Sequence, residues 1–488
     1  MSTAAGSRAE LPLLAPPAAR PAPGVVHLGL GAFFRAHGAI YLEEAMAASG
    51  GDWGVTGVSL VRPDQRDRLA PQGCAYTAVE LGPEGEAIRV VGVVREVLVA
   101  REDPEAVLAR MADPATRIVT LTVTEKGYCH EPSTGALNRA HPDIVHDLAH
   151  PEAPRSAPGF LVRALGRRRG AGGRPFTVLC CDNLPENGRV VRGVVLELAG
   201  AVDPGLAGWI AAEGAFPSTM VDRIVPATRE EDIERLAERT GVLDRAPVMH
   251  EPFRQWVVED RFVDGDRPDL GAVGVELVGD VTPYEHMKLR MLNGTHSSLA
   301  YLGYLAGHET IAETVADPVF AGFVRGLWAG EIIPALTPPP GVDLGGYAAA
   351  LFERYANPAI RHRTWQIAMD GSQKLPQRIL GTIAESLAAG RPAPGLILAV
   401  AAWMRYVGGV DEKGAPIEVR DPLAERLRAL SDGAEWPEAK VAALLGVREV
   451  FDPALAGNPA FRAALTEAYA TLVSRGARAA AEAATRPA

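Results

Sequence analysis

The sequence predicts an α/β domain followed by an all-helical domain, and three observations carry that expectation. From Val25 to about Val178, short β-rich runs alternate with helical stretches, which implies parallel βαβ units and a sheet covered on both faces. After about residue 280 the pattern is mostly helical, broken by the loops Pro338–Gly341 and Gly408–Asp411. The length of 488 residues suits two or three domains and a core that needs no covalent staples.

The strand candidates are Val25–Leu28, Gly54–Leu60, Arg89–Val94, Ile118–Val123 and Phe176–Leu179. A helical segment, Ala36–Ser49, lies between the first two. In the second half, Asp343–Arg354 and Ala439–Leu445 carry apolar residues at spacings of three and four. The expected divisions are a flexible, Ala- and Pro-rich lead-in over residues 1–23, a dinucleotide-binding domain over 24–280 and a helical substrate domain over 281–488. The segment Phe216–Gly279 fits either domain. The run Arg167-Arg168-Arg169 lies between Gly166 and Gly170 and reads as a solvated loop. There is no internal repeat.

A net charge of -11 argues against nucleic-acid and anionic-membrane partners, because both favour basic surfaces. A small anionic substrate needs only local positive charge. The cysteines Cys74, Cys129, Cys180 and Cys181 show no CxxC pair and no Cys/His ligand spacing. They read as reduced, mostly buried thiols, and no metal is expected. The lead-in lacks the basic segment and apolar run of a signal peptide. The apolar run Leu396–Met404 is too short to span a bilayer. A cytoplasmic protein, monomeric or weakly oligomeric, is expected.

The stretch from Val25 to His37 reads as a strand, a Gly-rich turn and a helix. Gly29 and Gly31 fit the first two glycines of the dinucleotide fingerprint; Phe34 stands at the third. The second strand points toward an adenosine ribose, and Asp64 just beyond it suits the two ribose hydroxyls of NAD. Arg62 is the residue that suits the additional phosphate of NADP.

Thr282 to His296 is the most informative stretch. Thr282, Pro283 and Glu285 match a capped helix start. At about 100° per residue, Lys288, Asn293 and His296 project at roughly 0°, 140° and 80°, on one face. Their types suit hydride chemistry on an alcohol or carbonyl. A desolvated Lys can act as the base that takes the hydroxyl proton. An Asn amide can donate to a developing oxyanion, and a His can orient the substrate hydroxyl. Tyr284 and Lys288 also form the Tyr-x3-Lys spacing of short-chain dehydrogenases. That pattern falls far too late in the chain for that class. A catalytically silent dinucleotide sensor is the remaining alternative, and the intact Lys, Asn and His argue against it.

Five blocks in order resemble the polyol-specific long-chain dehydrogenases, the mannitol dehydrogenase family. They are Gly29–His37, Thr122–Cys129, Cys181–Gly188, Phe216–Pro226 and Lys288-x4-Asn-x2-His296, and the resemblance runs from about Gly24 to Gly476. It implies a Rossmann-type N-terminal domain, a mostly α-helical C-terminal domain, a cleft between them and metal-independent catalysis. By it, Lys288 matches the catalytic Lys, Asn293 and Asn183 the oxyanion-stabilising amides, and His296 the substrate-orienting His. Glu285 matches a proton-relaying Glu. Gly29, Gly31, Phe33, Arg35, Asp64, Asn183 and Val221 are the cofactor-binding candidates, with NAD favoured over NADP. Asp222, Arg290, Gln366 and Lys374 are the substrate-binding candidates.

Two activities of the family compete. One interconverts fructuronate and D-mannonate, the other mannitol and fructose. Thr122–Tyr128, Lys288–Asn293 and Arg361–Arg378 look like the fructuronate enzymes, whereas mannitol enzymes place an Arg at the position of Gln366 and lack the Arg at 290. The loop around Asp64 is nearer the mannitol type. A hexuronate also needs a cation for its carboxylate, for which Arg290, Arg361 and Arg363 are candidates.

Overall fold

The computed structural model describes residues 11–131 and 134–485. They form two compact units that divide between Thr282 and Pro283.

The first unit is built on a five-stranded, all-parallel sheet. Its strands are β1 (Pro23–Leu28), β2 (Gly54–Ser59), β3 (Val94–Val99), β4 (Ile118–Leu121) and β5 (Thr177–Cys180). They lie in the order β3-β2-β1-β4-β5. Helices Gly38–Ser49, Pro104–Ala112 and Ala157–Gly170 lie in the crossovers. Strands β2, β4 and β5 are buried at every residue, as a doubly covered parallel sheet requires. Successive side chains feed two cores. Val26 and Leu28 pack with Val107, Phe160 and Val178 on one side. Val25 and Val55 pack with Ile40, Tyr41 and Trp256 on the other. This is the Rossmann-type arrangement, with strand order reversing beside β1.

The third parallel strand differs from its prediction. Residues Gly85–Val91 alternate in exposure and pair antiparallel with Tyr76–Gly82. The parallel strand begins three residues later, at Val94. Mixed polar and apolar residues suit a half-solvated antiparallel strand, while the near-continuous apolar run suits the buried sheet. The segment 216–279 lies in the first unit, which it completes with strands Thr219–Asp222, Val248–His250, Gln255–Glu259 and Glu276–Val278.

Two further expectations are corrected. Arg167–Arg169 form the last turn of helix Ala157–Gly170, not a loop. Arg168 is buried and donates to the carbonyls of Met111, Asp113, Thr116 and Arg174. Arg167 and Arg169 pair with Glu105 and Asp203. Cations at a helix C-terminus complement its orphan carbonyls and dipole. The first ten residues of the expected lead-in lie outside the described residues. From residue 11 the lead-in is packed: Leu14 N–H donates to the Leu243 carbonyl (3.0 Å), and Leu243 N–H donates to Pro12 (2.8 Å).

The second unit is helical. Its buried axis is the helix Pro394–Val407, whose apolar stretch 396–404 is enclosed by the helices Thr295–Leu305 and Pro459–Ala484. That run is core; no helix among the described residues is long and apolar enough to cross a membrane. All four cysteines are buried and unpaired.

Candidate functional site

In an open α/β sheet, ligands bind outside the carboxyl ends of the strands where the order reverses. A cleft of about 490 Å³ lies there in the first unit, lined by Gly29, Gly31, Ser59, Arg62, Asp64 and the segment 122–127 among others. Gly29 has φ +91°, and a Cβ on it would sit 2.2 Å from the Thr122 carbonyl oxygen. Only glycine fits that contact and that conformation. Gly31 has no close neighbour but the Gly29 carbonyl, at 3.7 Å, so its backbone is open to approach by a phosphate. Phe34, at the third fingerprint position, is buried and stacks on His27 with centroids 3.5 Å apart. Asp64 and Arg62 are exposed at the edge of this cleft.

Two of the cofactor candidates make contacts within the protein. Arg35 is buried, and its guanidinium donates to the carbonyls of Gly31 (3.3 Å) and Ala246 (2.5 Å). It braces the glycine turn through these backbone bonds and does not line the cleft. Phe33 stacks on His37 at 5.0 Å. Val221 and Asp222 are buried on strand Thr219–Asp222, opposite Trp256 and Gln255.

The cleft rim depends on residues that sequence reasoning passed over. Thr124 has φ +65°, a strained value for a β-branched residue. The Asp182 carboxylate holds it by accepting from Val123 N–H (2.8 Å) and Thr124 N–H (3.1 Å). Tyr128 donates its hydroxyl to the same carboxylate at 2.6 Å. Burial pushes the Asp182 carboxyl up to about 6 against these bonds. The next residue, Asn183, is exposed. Asn187 donates to the Asp182 and Thr219 carbonyls and accepts from Thr219 N–H, tying this loop to the neighbouring strand. The block Cys181–Gly188 carried the signal; its bonding partners, distant in sequence, did not.

In the second unit the Lys288–His296 stretch is not one regular α-helix. A helix over Thr282–Met287 passes into a π-helical stretch, Lys288–Gly294, and then into the helix Thr295–Leu305. The angles read for a regular helix are therefore corrected. A π turn bonds i to i+5, so Lys288 and Asn293 lie one such turn apart along the backbone. The widened turn is stabilised from outside. The Met291 carbonyl accepts from Thr295 Oγ1 (2.6 Å) and Trp328 Nε1 (2.9 Å), and the Leu292 carbonyl accepts from Tyr355 (2.8 Å). A second π stretch, Pro376–Leu380, packs against the first. Gly294 permits that approach: a Cβ there would lie 2.7 Å from the Arg378 carbonyl oxygen.

Lys288 and His296 are buried, and Asn293 and Glu285 are half-buried. The His296 ring stacks on Tyr355, with centroids 5.1 Å apart. Burial holds its imidazole well below the usual histidine range, and the basic groups His362, Arg378, Arg354 and Lys374 push it further down. His296 is thus a neutral donor or acceptor at physiological pH.

Arg290 does not offer a free guanidinium. It forms a two-pronged ion pair with Glu385, both contacts 2.6 Å, and donates to the Ala335 carbonyl. A planar fork engaged by a carboxylate has less left for a ligand. Lys374 donates to the carbonyls of Met369 (2.5 Å) and Ile367 (3.4 Å). Gln366 is exposed on the short helix Thr364–Ala368. Arg363 is exposed and approaches Glu309 at 3.6 Å, and Arg361 is exposed.

The family models for the mannitol dehydrogenase Rossmann domain and the mannitol dehydrogenase C-terminal domain match residues 23–271 and 280–473. The chain belongs to the mannitol dehydrogenase family of oxidoreductases. It is 50% identical over 457 residues to an uncharacterized oxidoreductase, YeiQ, of Escherichia coli (strain K12), covering 93% of both chains. It is 48% identical over 461 residues to the D-mannonate oxidoreductase of the same organism, covering 93% of this chain and 94% of the other. A solved ternary complex of Pseudomonas fluorescens mannitol 2-dehydrogenase with NAD and D-mannitol matches with a TM-score of 0.85 and 39% identity. That match covers 98% of this chain and 95% of the other.

Proposed function

We propose that the protein is an NAD-dependent oxidoreductase that interconverts a keto sugar acid and its alcohol, fructuronate and D-mannonate. The observation that carries the reading is the π stretch Lys288–Gly294 that holds buried Lys288 and half-buried Asn293, with neutral His296 three residues further on, in a chain 48% identical to a D-mannonate oxidoreductase. When bound, the nicotinamide supplies or accepts the hydride. Gly29 and Gly31 leave room for its pyrophosphate, and Asp64 takes the ribose hydroxyls, which favours NAD over NADP.

Lys288 donates a proton to the substrate oxygen in the reducing direction and removes it in the oxidising direction. The Asn293 amide, together with that of Asn183, donates to the same oxygen as negative charge develops on it. His296 orients the substrate hydroxyl with a neutral ring. Glu285, one helical turn before Lys288, relays the proton to solvent. Asp222, Gln366 and Lys374 are assigned to the sugar chain.

Mannitol 2-dehydrogenase activity is the second reading, and one observation favours it: the Arg290–Glu385 ion pair removes a cation from those available to a carboxylate. Steady-state loss of NADH absorbance with fructuronate, fructose and their relatives separates the two. Fructuronate is expected to give the higher kcat/KM. A higher value for fructose reverses the assignment, and no turnover of any ketose removes the enzymatic reading.

A further inference from the structure

The second unit contains two neighbouring histidines, buried His296 and half-buried His362, whose bonding capacity the protein does not use up. His296 and His362 stand edge to face, with ring centroids 4.5 Å apart and planes at 74°. Neither His296 Nε2 nor His362 Nδ1 has a hydrogen-bond partner among the described residues. Buried ring nitrogens are ordinarily satisfied, so two neighbouring rings that each carry an unsatisfied buried nitrogen call for a ligand.

The chain around His362 is fixed independently of any ligand. Ile311 N–H donates to the His362 carbonyl (3.0 Å), and Thr364 N–H donates to the Glu309 carbonyl (3.0 Å). Thr364 Oγ1 adds a bond to the His308 carbonyl (3.0 Å). The ring is therefore positioned by a stapled loop, as recognition of a small molecule requires. The charged groups acting most strongly on His296 are Arg378, Arg354 and Lys374, and Lys374 acts on His362. Lys374 is anchored on two carbonyls, and Arg378 donates to Ser297 Oγ (3.2 Å). They contribute potential without needing to touch the ligand.

We propose that His362 is a specificity-determining residue that contacts the carboxylate end of the substrate, with His296 beside it on the sugar hydroxyls. His362 donates from Nδ1, and Lys374 and Arg378 supply the positive field. This site takes over the role that Arg290 leaves unfilled. A neutral polyol has no carboxylate for His362 to hold and gains nothing from the field, so the site favours a sugar acid. The inference rests on the sugar-acid reading above and names the residue that enforces it.

The test uses the full-length enzyme and two variants, His362→Phe and His362→Gln. Phe keeps the edge-to-face contact and loses the donor; Gln keeps a donor. Kinetics with fructuronate and fructose are compared with binding of D-mannonate and D-mannitol to the enzyme–NADH complex. Loss of one bond to a charged group is expected to raise KM for fructuronate and Kd for D-mannonate roughly ten- to hundredfold in His362→Phe. Fructose turnover and D-mannitol binding stay near wild type, and His362→Gln recovers part of the loss. Equal effects on acid and polyol, or none, overturn the proposal while leaving the sugar-acid activity standing. If wild-type enzyme rejects fructuronate, the functional reading fails by itself. The binding arm then decides: no preference for D-mannonate over D-mannitol overturns the role of His362 as well.

Discussion

The chemistry assigned to this chain comes down to a few side chains whose settings differ in kind. Lys288 and His296 are buried, whereas Asn293 is half-buried. Donors aimed at a developing oxyanion act mainly on the transition state. Replacing Asn293 by Ala is therefore expected to lower kcat roughly a hundred- to a thousandfold with little change in cofactor binding, as measured by steady-state kinetics and NADH titration. An unchanged kcat removes the amide from the oxyanion site. Residue types and their spacing along one short segment made these three residues legible in the sequence. Arg290 was legible only as a cation. That its guanidinium is committed to Glu385 depends on a helix about a hundred positions later, which no local pattern encodes. For the same reason His362 drew no attention: its significance lies in the ring facing it.

At the scale of elements, the alternating strands and helices of the first unit were readable because a doubly covered sheet demands buried β-rich runs. The misplacement of the third strand has the same origin. Arg89–Val94 straddles two strands: Arg89–Val91 end the half-exposed hairpin strand, with Arg89 held by Glu43 and Glu44, and Val94 opens the buried parallel one. The π stretch Lys288–Gly294 could not be read from periodicity, which assumes a regular turn. It exists because Thr295, Trp328 and Tyr355 bond its freed carbonyls and because Gly294 lets the Pro376–Leu380 stretch come close. Adding one methyl tests this directly. Gly294→Ala drives a Cβ to 2.7 Å from the Arg378 carbonyl oxygen, and backbone cannot swing aside as a flexible side chain does. A loss of about 1–3 kcal/mol, typical of overpacking, is expected in denaturant unfolding of the second unit, together with reduced kcat. Wild-type stability and kinetics in this variant contradict the packing account.

Across the whole molecule, both units depend on neutral histidines. Burial depresses His27 to about 3 and His250 and His362 to about 4, and holds His296 well below 6.5. Unfolded, these groups take up protons near 6.5, so below that pH the unfolded chain binds more protons than the folded one. The stability they contribute is complete above 6.5 and is lost as pH falls toward 4, by up to about 1.4 kcal/mol per pH unit for each histidine. Asp182 and Glu331, raised by burial to about 6, oppose this because the folded state keeps their protons longer on the alkaline side. With four groups against two, the thermal midpoint is expected to fall across this window. A midpoint that rises on acidification contradicts the assignment of neutral histidines. The most direct test of the central claim, that Lys288 is the acid and base of a dinucleotide-dependent reduction, is single-turnover kinetics of Lys288→Ala with NADH binding measured in parallel. The account predicts a rate lower by at least about a hundredfold with NADH affinity nearly unchanged. Turnover near the wild-type rate would contradict it.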